Sequence, residues 1–311
     1  KGYANPIAMI GSLAMCLRYS FGLGEAADLL DSAVTRTLAC GARTRDIAAE
    51  GTAPISTAEM GDAVVAALRD HLLGAVEAVG LDAPEFRVGD EIMAYARKDV
   101  VAGGTFAELV TVPVRTATRK PASMTFDEAA SLPLAGLTAY QTLTRLNLNA
   151  NDTLLVHGAA GGVGSYAVQI AKHIGARVIG TASERNHEYV RGLGADDVVE
   201  YGDGLVERVR AIAPDGVTVS ADYVGDVEEQ TMQLLTPAGR HVSVADPSVA
   251  LNGGLYAWVR PSADDLAKLA QLVDDGALRV DIAATFPLER LADAFAQSRE
   301  GHTRGKIVVT P

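Results

Sequence analysis

From about residue 126 onward, short apolar runs alternate with stretches whose apolar residues recur every three or four positions. The runs at 154–157, 177–180, 198–201, 217–224 and 240–245 are apolar on both faces, which predicts strands covered on both sides. Between them "VGSYAVQIAKHIG", "EYVRGLG" and "LVERVRAIA" carry helical spacing. Strands and helices taken in turn predict an α/β fold, a doubly wound parallel sheet with helices on both faces. Upstream the pattern changes. The β-prone runs at 75–79, 90–94 and 107–112 are broken by Gly, Pro and Asp and predict a small β-region. Residues 6–19, 24–39 and 57–73 read as helices: Pro6 suits a first turn, and Ser56 with Glu59 forms a capping box.

Composition narrows the partners. The chain is 48% hydrophobic and 21% charged, as expected of a globular protein with two domains. Lys plus Arg number 27 against 39 Asp plus Glu, without a basic run, so a small molecule is expected and nucleic acid or an anionic membrane is not. Cys16 and Cys40 are the two cysteines, which signals neither a disulfide framework nor a zinc site and suits a reducing cytoplasm. The apolar run at 7–17 falls well short of the roughly 18 to 20 residues a spanning helix needs, and a buried helix is expected there. Because the first residue is Lys1 and not Met, a processed or partial chain is expected.

Candidate chemistry concentrates in residues 154–186, "LLVHGAAGGVGSYAVQIAKHIGARVIGTASERN". Ala159, Gly161 and Gly164 match the GxGxxG spacing with Ala in the first position, between a strand and a helix. Gly161 admits a ligand to the main chain, Gly164 lets the helix sit against the strand, and the helix N-terminus offers free N–H groups to a diphosphate. Where an NAD-binding site usually carries Asp or Glu, this chain has Ser183, Glu184, Arg185 and Asn186. Ser183 and Arg185 suit a 2′-phosphate and favour NADP(H), with Glu184 as the dissenting residue. His157 reads as a satisfied core histidine and not as a catalyst.

These residues resemble the zinc-independent medium-chain dehydrogenase/reductases of the quinone oxidoreductase and enoyl reductase group. The matching motifs are "VGDEI" at 88–92, "GGTFAELVTVP" at 103–113, "AASLPLAGLTAYQTL" at 129–143, "VHGAAGGVGS" at 156–165 and "GKIVV" at 305–309. The resemblance implies a Rossmann NADP-binding domain over 126–278 and a partial GroES-like catalytic domain over 74–125 and 279–311. It implies hydride transfer from NADPH to a quinone or other α,β-unsaturated carbonyl, and a homodimer. Carried over by residue, Thr138 would approach the nicotinamide carboxamide, and Gly162, Val163 and Gly164 the diphosphate. Ser183, Arg185 and Tyr201 would surround the 2′-phosphate, and Gly225 would lie beside the ribose. Thr138 equally fits a helix cap, Tyr201 a half-buried strand tyrosine and Gly225 a turn. Residues 74–125 contain no Cys or His, the ligands used by the family's zinc-bearing members, so a metal-free site is implied. Tyr95, Lys98 and Thr105 border the implied cleft, and none is singled out as the catalytic residue.

Residues 1–73, with "KGYANPIAMIGSLAMCLRYSFGL" and "ISTAEMGDAVVAAL", resemble instead the C-terminal end of 3-isopropylmalate dehydrogenase, where Asn5 would match an adenine contact. The arginines, lysine–tyrosine pair and metal-binding aspartates of that chemistry are missing, so a relict helical appendage is expected. A family member would carry further β-rich residues ahead of "GAVEAVG", so exposed strand edges, an open cleft and compromised activity are expected here. Two alternatives stay open at this stage: an NADPH-binding module without catalysis, and a 3-isopropylmalate dehydrogenase-like activity.

Overall fold

The computed structural model describes residues 75–80, 83–97, 107, 109–300 and 303–310. The expected helices at 6–19, 24–39 and 57–73, with Asn5, Lys98 and Thr105, lie outside the described residues. The chain divides into two compact units, residues 1–73 and 74–311, and every described residue belongs to the second.

Met93 and Ala117 are buried where a short antiparallel pair forms, β1 (Ile92–Ala94) with β2 (Ala117–Arg119). Helix α1 (Phe126–Arg145) follows. Thr125 starts it with a capping box: its N–H donates to Glu128 Oε2 at 2.8 Å and its Oγ1 accepts from the Glu128 N–H at 3.3 Å. Then β3 (Thr153–His157), α2 (Gly164–Ile174), β4 (Arg177–Thr181), α3 (His187–Gly192), β5 (Asp197–Val199), α4 (Leu205–Ile212), β6 (Val217–Asp222), α5 (Glu228–Leu234) and β7 (Leu235–Ser243) alternate. After β8 (Leu255–Tyr256) come α6 (Ala263–Asp274), β9 (Ile282–Pro287), α7 (Leu291–Arg299) and β10 (Lys306–Thr310), with β9 and β10 paired in parallel.

The central sheet is parallel throughout in the order β5-β4-β3-β6-β7-β8. Alternate residues feed two cores. Leu154 and Val156 of β3 join Leu132, Leu143, Ala167 and Leu269 from α1, α2 and α6, whereas Leu155 joins Ile179, Leu205, Val209 and Leu234 from β4, α4 and α5. Covering on both faces explains the near-continuous apolar strands, and the α/β fold class stands. The order reverses between β3 and β6, so a crevice opens at their carboxyl ends.

Several predicted boundaries shift for local reasons. Residues 107 and 109–112 form no strand: Leu109 and Val110 are exposed, no strand pairs with them among the described residues, and β2 pairs with β1. In 75–79 Ala75 bridges Glu91 and Val76 exchanges main-chain hydrogen bonds with Gly89 and Asp90, which stops short of a strand. Strand β5 ends at Val199, because the Glu200 and Tyr201 carbonyls accept from the Arg208 guanidinium at 3.0 and 3.3 Å and leave the ladder. Strand β6 ends at Asp222, whose carboxylate turns the chain. Strand β7 starts at Leu235, ahead of the predicted 240, with an irregular register opposite residues 217–219.

Candidate functional site

The chain leaves β3 through Gly158 at φ +74°, so the tight turn is made one residue ahead of the motif's first position. The Gly158 N–H donates to Thr181 Oγ1 at 3.1 Å and the Ala159 N–H to Thr181 O at 3.0 Å, pinning the turn to β4. Ala159 is fully buried and contributes packing to the turn. A Cβ on Gly164 would strike the Gly158 carbonyl and come within 2.8 Å of Ala159 Cα, so only glycine lets α2 begin this close to β3.

Helix α2 begins at Val163 without a side-chain cap. Among the described residues the N–H groups of Gly162, Val163 and Gly164 donate to nothing, which leaves three donors at the positive end of the helix dipole. Opposite them stands Lys306, the first residue of β10. A Cβ on Gly162 would lie 2.8 Å from Lys306 Cδ and 3.2 Å from its Nζ. The Gly305 N–H holds this approach by donating to Ala160 O at 3.2 Å. The ammonium has no acidic partner among the described residues, and burial lowers its pKa from the ordinary lysine value. Three free N–H groups and a half-buried cation around bare backbone form a site for an anion and fit a diphosphate. The sequence reading quoted "GKIVV" without giving Lys306 a role.

At the end of β4, Ser183 opens a one-turn helix over Glu184–Asn186, and its Oγ accepts from Asn186 Nδ2 at 3.2 Å. Arg185 and Glu184 are both exposed on it. Arg304, another residue the sequence reading passed over, reaches the same loop. Its Nη2 donates to Asn186 Oδ1 at 3.0 Å, and its guanidinium lies 4.9 Å from the centre of the Tyr189 ring. Tyr201 follows β5 and is 55% exposed, which excludes the half-buried strand tyrosine.

Thr138 lies inside α1 and caps nothing; the capping residue is Thr125. The Thr138 hydroxyl donates to Leu134 O at 2.7 Å, which leaves the oxygen lone pairs as acceptors. Gly225 sits in the turn after β6 at φ +91° and receives its conformation from Asp222. His157, at the end of β3, is fully buried; its Nε2 pairs with Thr231 Oγ1 at 3.1 Å and its Nδ1 has no partner among the described residues. Burial lowers its pKa to about 4, against a smaller upward pull from the Asp222 carboxylate. A neutral core imidazole follows at ordinary pH, with one nitrogen paired.

No group of three or more His, Cys, Asp or Glu able to hold a metal ion occurs among the described residues, nor a helix long and apolar enough to cross a membrane. Strand order and crest turn together define a Rossmann-type α/β protein with an anion-binding turn at its switch point.

A family model described as zinc-binding dehydrogenase matches residues 193–309, and one described as isocitrate/isopropylmalate dehydrogenase matches residues 1–64. The chain is 33% identical over 246 residues to the chloroplastic NADPH-dependent alkenal/one oxidoreductase of Arabidopsis thaliana, covering 76% of this chain and 62% of that protein. It is 32% identical over 270 residues to the chloroplast envelope quinone oxidoreductase homolog of the same plant, covering 76% and 78%. The solved Escherichia coli quinone oxidoreductase complexed with NADPH superimposes with a TM-score of 0.68 at 26% identity, over 76% of this chain and 80% of that one. The chain belongs to the zinc-independent medium-chain dehydrogenase/reductase family, in its quinone oxidoreductase group.

Proposed function

We propose that the protein is an NADPH-dependent oxidoreductase of quinones or other α,β-unsaturated carbonyls. The observation that carries this reading is the meeting of three free N–H groups at the start of α2 with the unpaired Lys306 ammonium. Gly161, Gly162, Val163 and Gly164 would hold the diphosphate with Lys306, and the buried Ala159 would keep the turn in shape. Ser183, Arg185 and Tyr201 would take the 2′-phosphate, with Arg304 as a further cation on the Ser183 loop. Thr138 would accept from the nicotinamide carboxamide, and Gly225 would border the ribose. When bound, NADPH supplies a hydride. The chain supplies position and exclusion of water for that transfer, and hydrogen-bond donors for the oxygen that gains charge.

In this reading residues 126–278 form the coenzyme domain, and 74–125 with 279–311 form the partial GroES-like part that faces the substrate. A homodimer through the sheet and a cytoplasmic location complete it; the scarcity of cysteine supports the latter. The relatives' printed names, NADPH-dependent alkenal/one oxidoreductase and quinone oxidoreductase, support the coenzyme and the substrate class.

Calorimetry with NADPH, NADH and 2′,5′-ADP, followed by NADPH oxidation with a panel of quinones and enones, tests the proposal. NADPH is expected to bind more tightly than NADH and to be consumed. Absence of heat with every nucleotide sinks the coenzyme reading. Tight binding without turnover on any acceptor sinks the enzymatic one and leaves a binding module.

A further inference from the structure

We infer that Asp222 and Ser243 are positioning residues that set where the nicotinamide half of the coenzyme lies, by locking the crests of β6 and β7 into one rim. The inference rests on the dinucleotide reading above.

Asp222 ends β6 and Ser243 ends β7, and the two are paired in register and buried. Asp222 Oδ1 accepts from the N–H groups of Val224 and Gly225, both at 2.9 Å, and its Oδ2 accepts from Ser243 Oγ at 2.7 Å. Ser243 Oγ in turn accepts from the N–H groups of Ala245 at 3.1 Å and Asp246 at 2.8 Å. Four main-chain donors of two separate turns therefore converge on one carboxylate–hydroxyl pair. Among the described residues no lysine or arginine pairs with Asp222, and two main-chain N–H groups and one hydroxyl satisfy its carboxylate oxygens.

Buried polar groups need partners wherever they stand. The placement of this pair says more. All its main-chain donors belong to the two turns on the far side of the switch point, where ligands of such sheets lie. The rim it makes touches the anion site, because a Cβ on Gly158 would come within 2.6 Å of Val224 Cγ1. The two turns also touch each other: a Cβ on Gly225 would sit 3.3 Å from Ala245 Cβ. A third tie reaches α1, where the Tyr223 hydroxyl pairs with Thr142 Oγ1 at 2.8 Å, and Thr142 Oγ1 donates to Thr138 O at 2.8 Å. The rim is thus fixed against both the diphosphate turn and the helix that carries Thr138.

The test separates the two halves of the coenzyme. In the Ser243→Ala protein, 2′,5′-ADP should bind within about twofold of wild type while NADPH weakens about tenfold. The fluorescence anisotropy of the bound nicotinamide should fall as well. Ser243→Thr, which keeps the hydroxyl, should restore both readouts. Asp222→Asn should reproduce the split, and the double variant should add little to either single change. Hydrogen exchange on the wild-type protein supplies a measurement that needs no variant to fold: the Val224, Gly225, Ala245 and Asp246 amides should be protected. Parallel weakening of NADPH and 2′,5′-ADP, unchanged binding with a lower melting temperature, or fast exchange at those amides would overturn the inference alone. A wild-type protein that binds neither nucleotide overturns the dinucleotide reading beneath it.

Discussion

The crest of β3 and the crests of β6 and β7 share the carboxyl edge of one sheet and are shaped by opposite means. At β3 the backbone comes close to its neighbours because side chains have been removed: Gly158 turns at φ +74°, and Gly164 rests where a Cβ would strike Ala159. At β6 and β7 the turns are held because side chains have been added, the Asp222 carboxylate and the Ser243 hydroxyl. Bare backbone presents its own N–H groups to a ligand, whereas the second device consumes four N–H groups and presents a fixed contour. In the proposed reading, one edge would hold a charged ligand group through its amides, and the other would place an uncharged one by shape.

The sharpest way to break the comparison is Gly164→Ala. The added methyl meets backbone on two sides, so the variant should lose about 3 kcal/mol in thermal unfolding and bind NADPH at least about a hundredfold more weakly. A wild-type melting temperature for Gly164→Ala would refute the bare-backbone account. Gly162→Ala is its control. There the methyl meets the flexible end of Lys306 and lies 3.2 Å from the Gly305 carbonyl oxygen, so folding should lose less than in Gly164→Ala, about 1 kcal/mol at most, while NADPH affinity drops.

The next effect is on pH. His157 lies between the two devices, and its folded pKa of about 4 is below the ordinary 6.5. Below 6.5 the unfolded chain takes up the proton first, so stability is full above 6.5 and drains as pH falls toward 4, by roughly 3 kcal/mol. Urea midpoints between pH 7 and 4.5 should show this slope, and His157→Gln should flatten it.

A smaller change comes from Lys306→Met. Losing the cation should weaken NADPH about tenfold and reduce the salt dependence of binding. The ligand-free protein should move the other way. The lysine's folded pKa is lowered by burial, so the unfolded chain holds the proton to higher pH and stability rises as pH approaches 10.5. The variant should be the more stable protein at neutral pH and lack that rise. Smallest of all, Arg185→Ala and Arg304→Ala should each cost about three- to tenfold in NADPH affinity and leave NADH unchanged by titration calorimetry.

What could be read from the chain was what is local. Gly161 and Gly164 announce themselves by spacing between a strand and a helix, and the alternation of apolar runs carried the sheet. Thr125 and Glu128 had the spacing of a capping box, but the twenty-residue helix they start, with Pro133 inside it, is absent from the predicted elements. The turn glycine proved to be Gly158, since spacing places the motif but not the residue with positive φ. The rest depends on register. Asp222 meets Ser243, and Lys306 meets Gly162, only once the strands between them are in place. Tyr201 left its strand for a similar reason: an arginine one helix later competes for the carbonyls.

The bond from Gly305 to Ala160 has a consequence for how the protein is made. A polypeptide emerging from the ribosome shows its glycine-rich turn early, but the cation that faces it arrives some hundred and forty residues later in synthesis, at Lys306. In the proposed reading, nascent chains arrested short of that point would hold the nucleotide more weakly than the finished fold does.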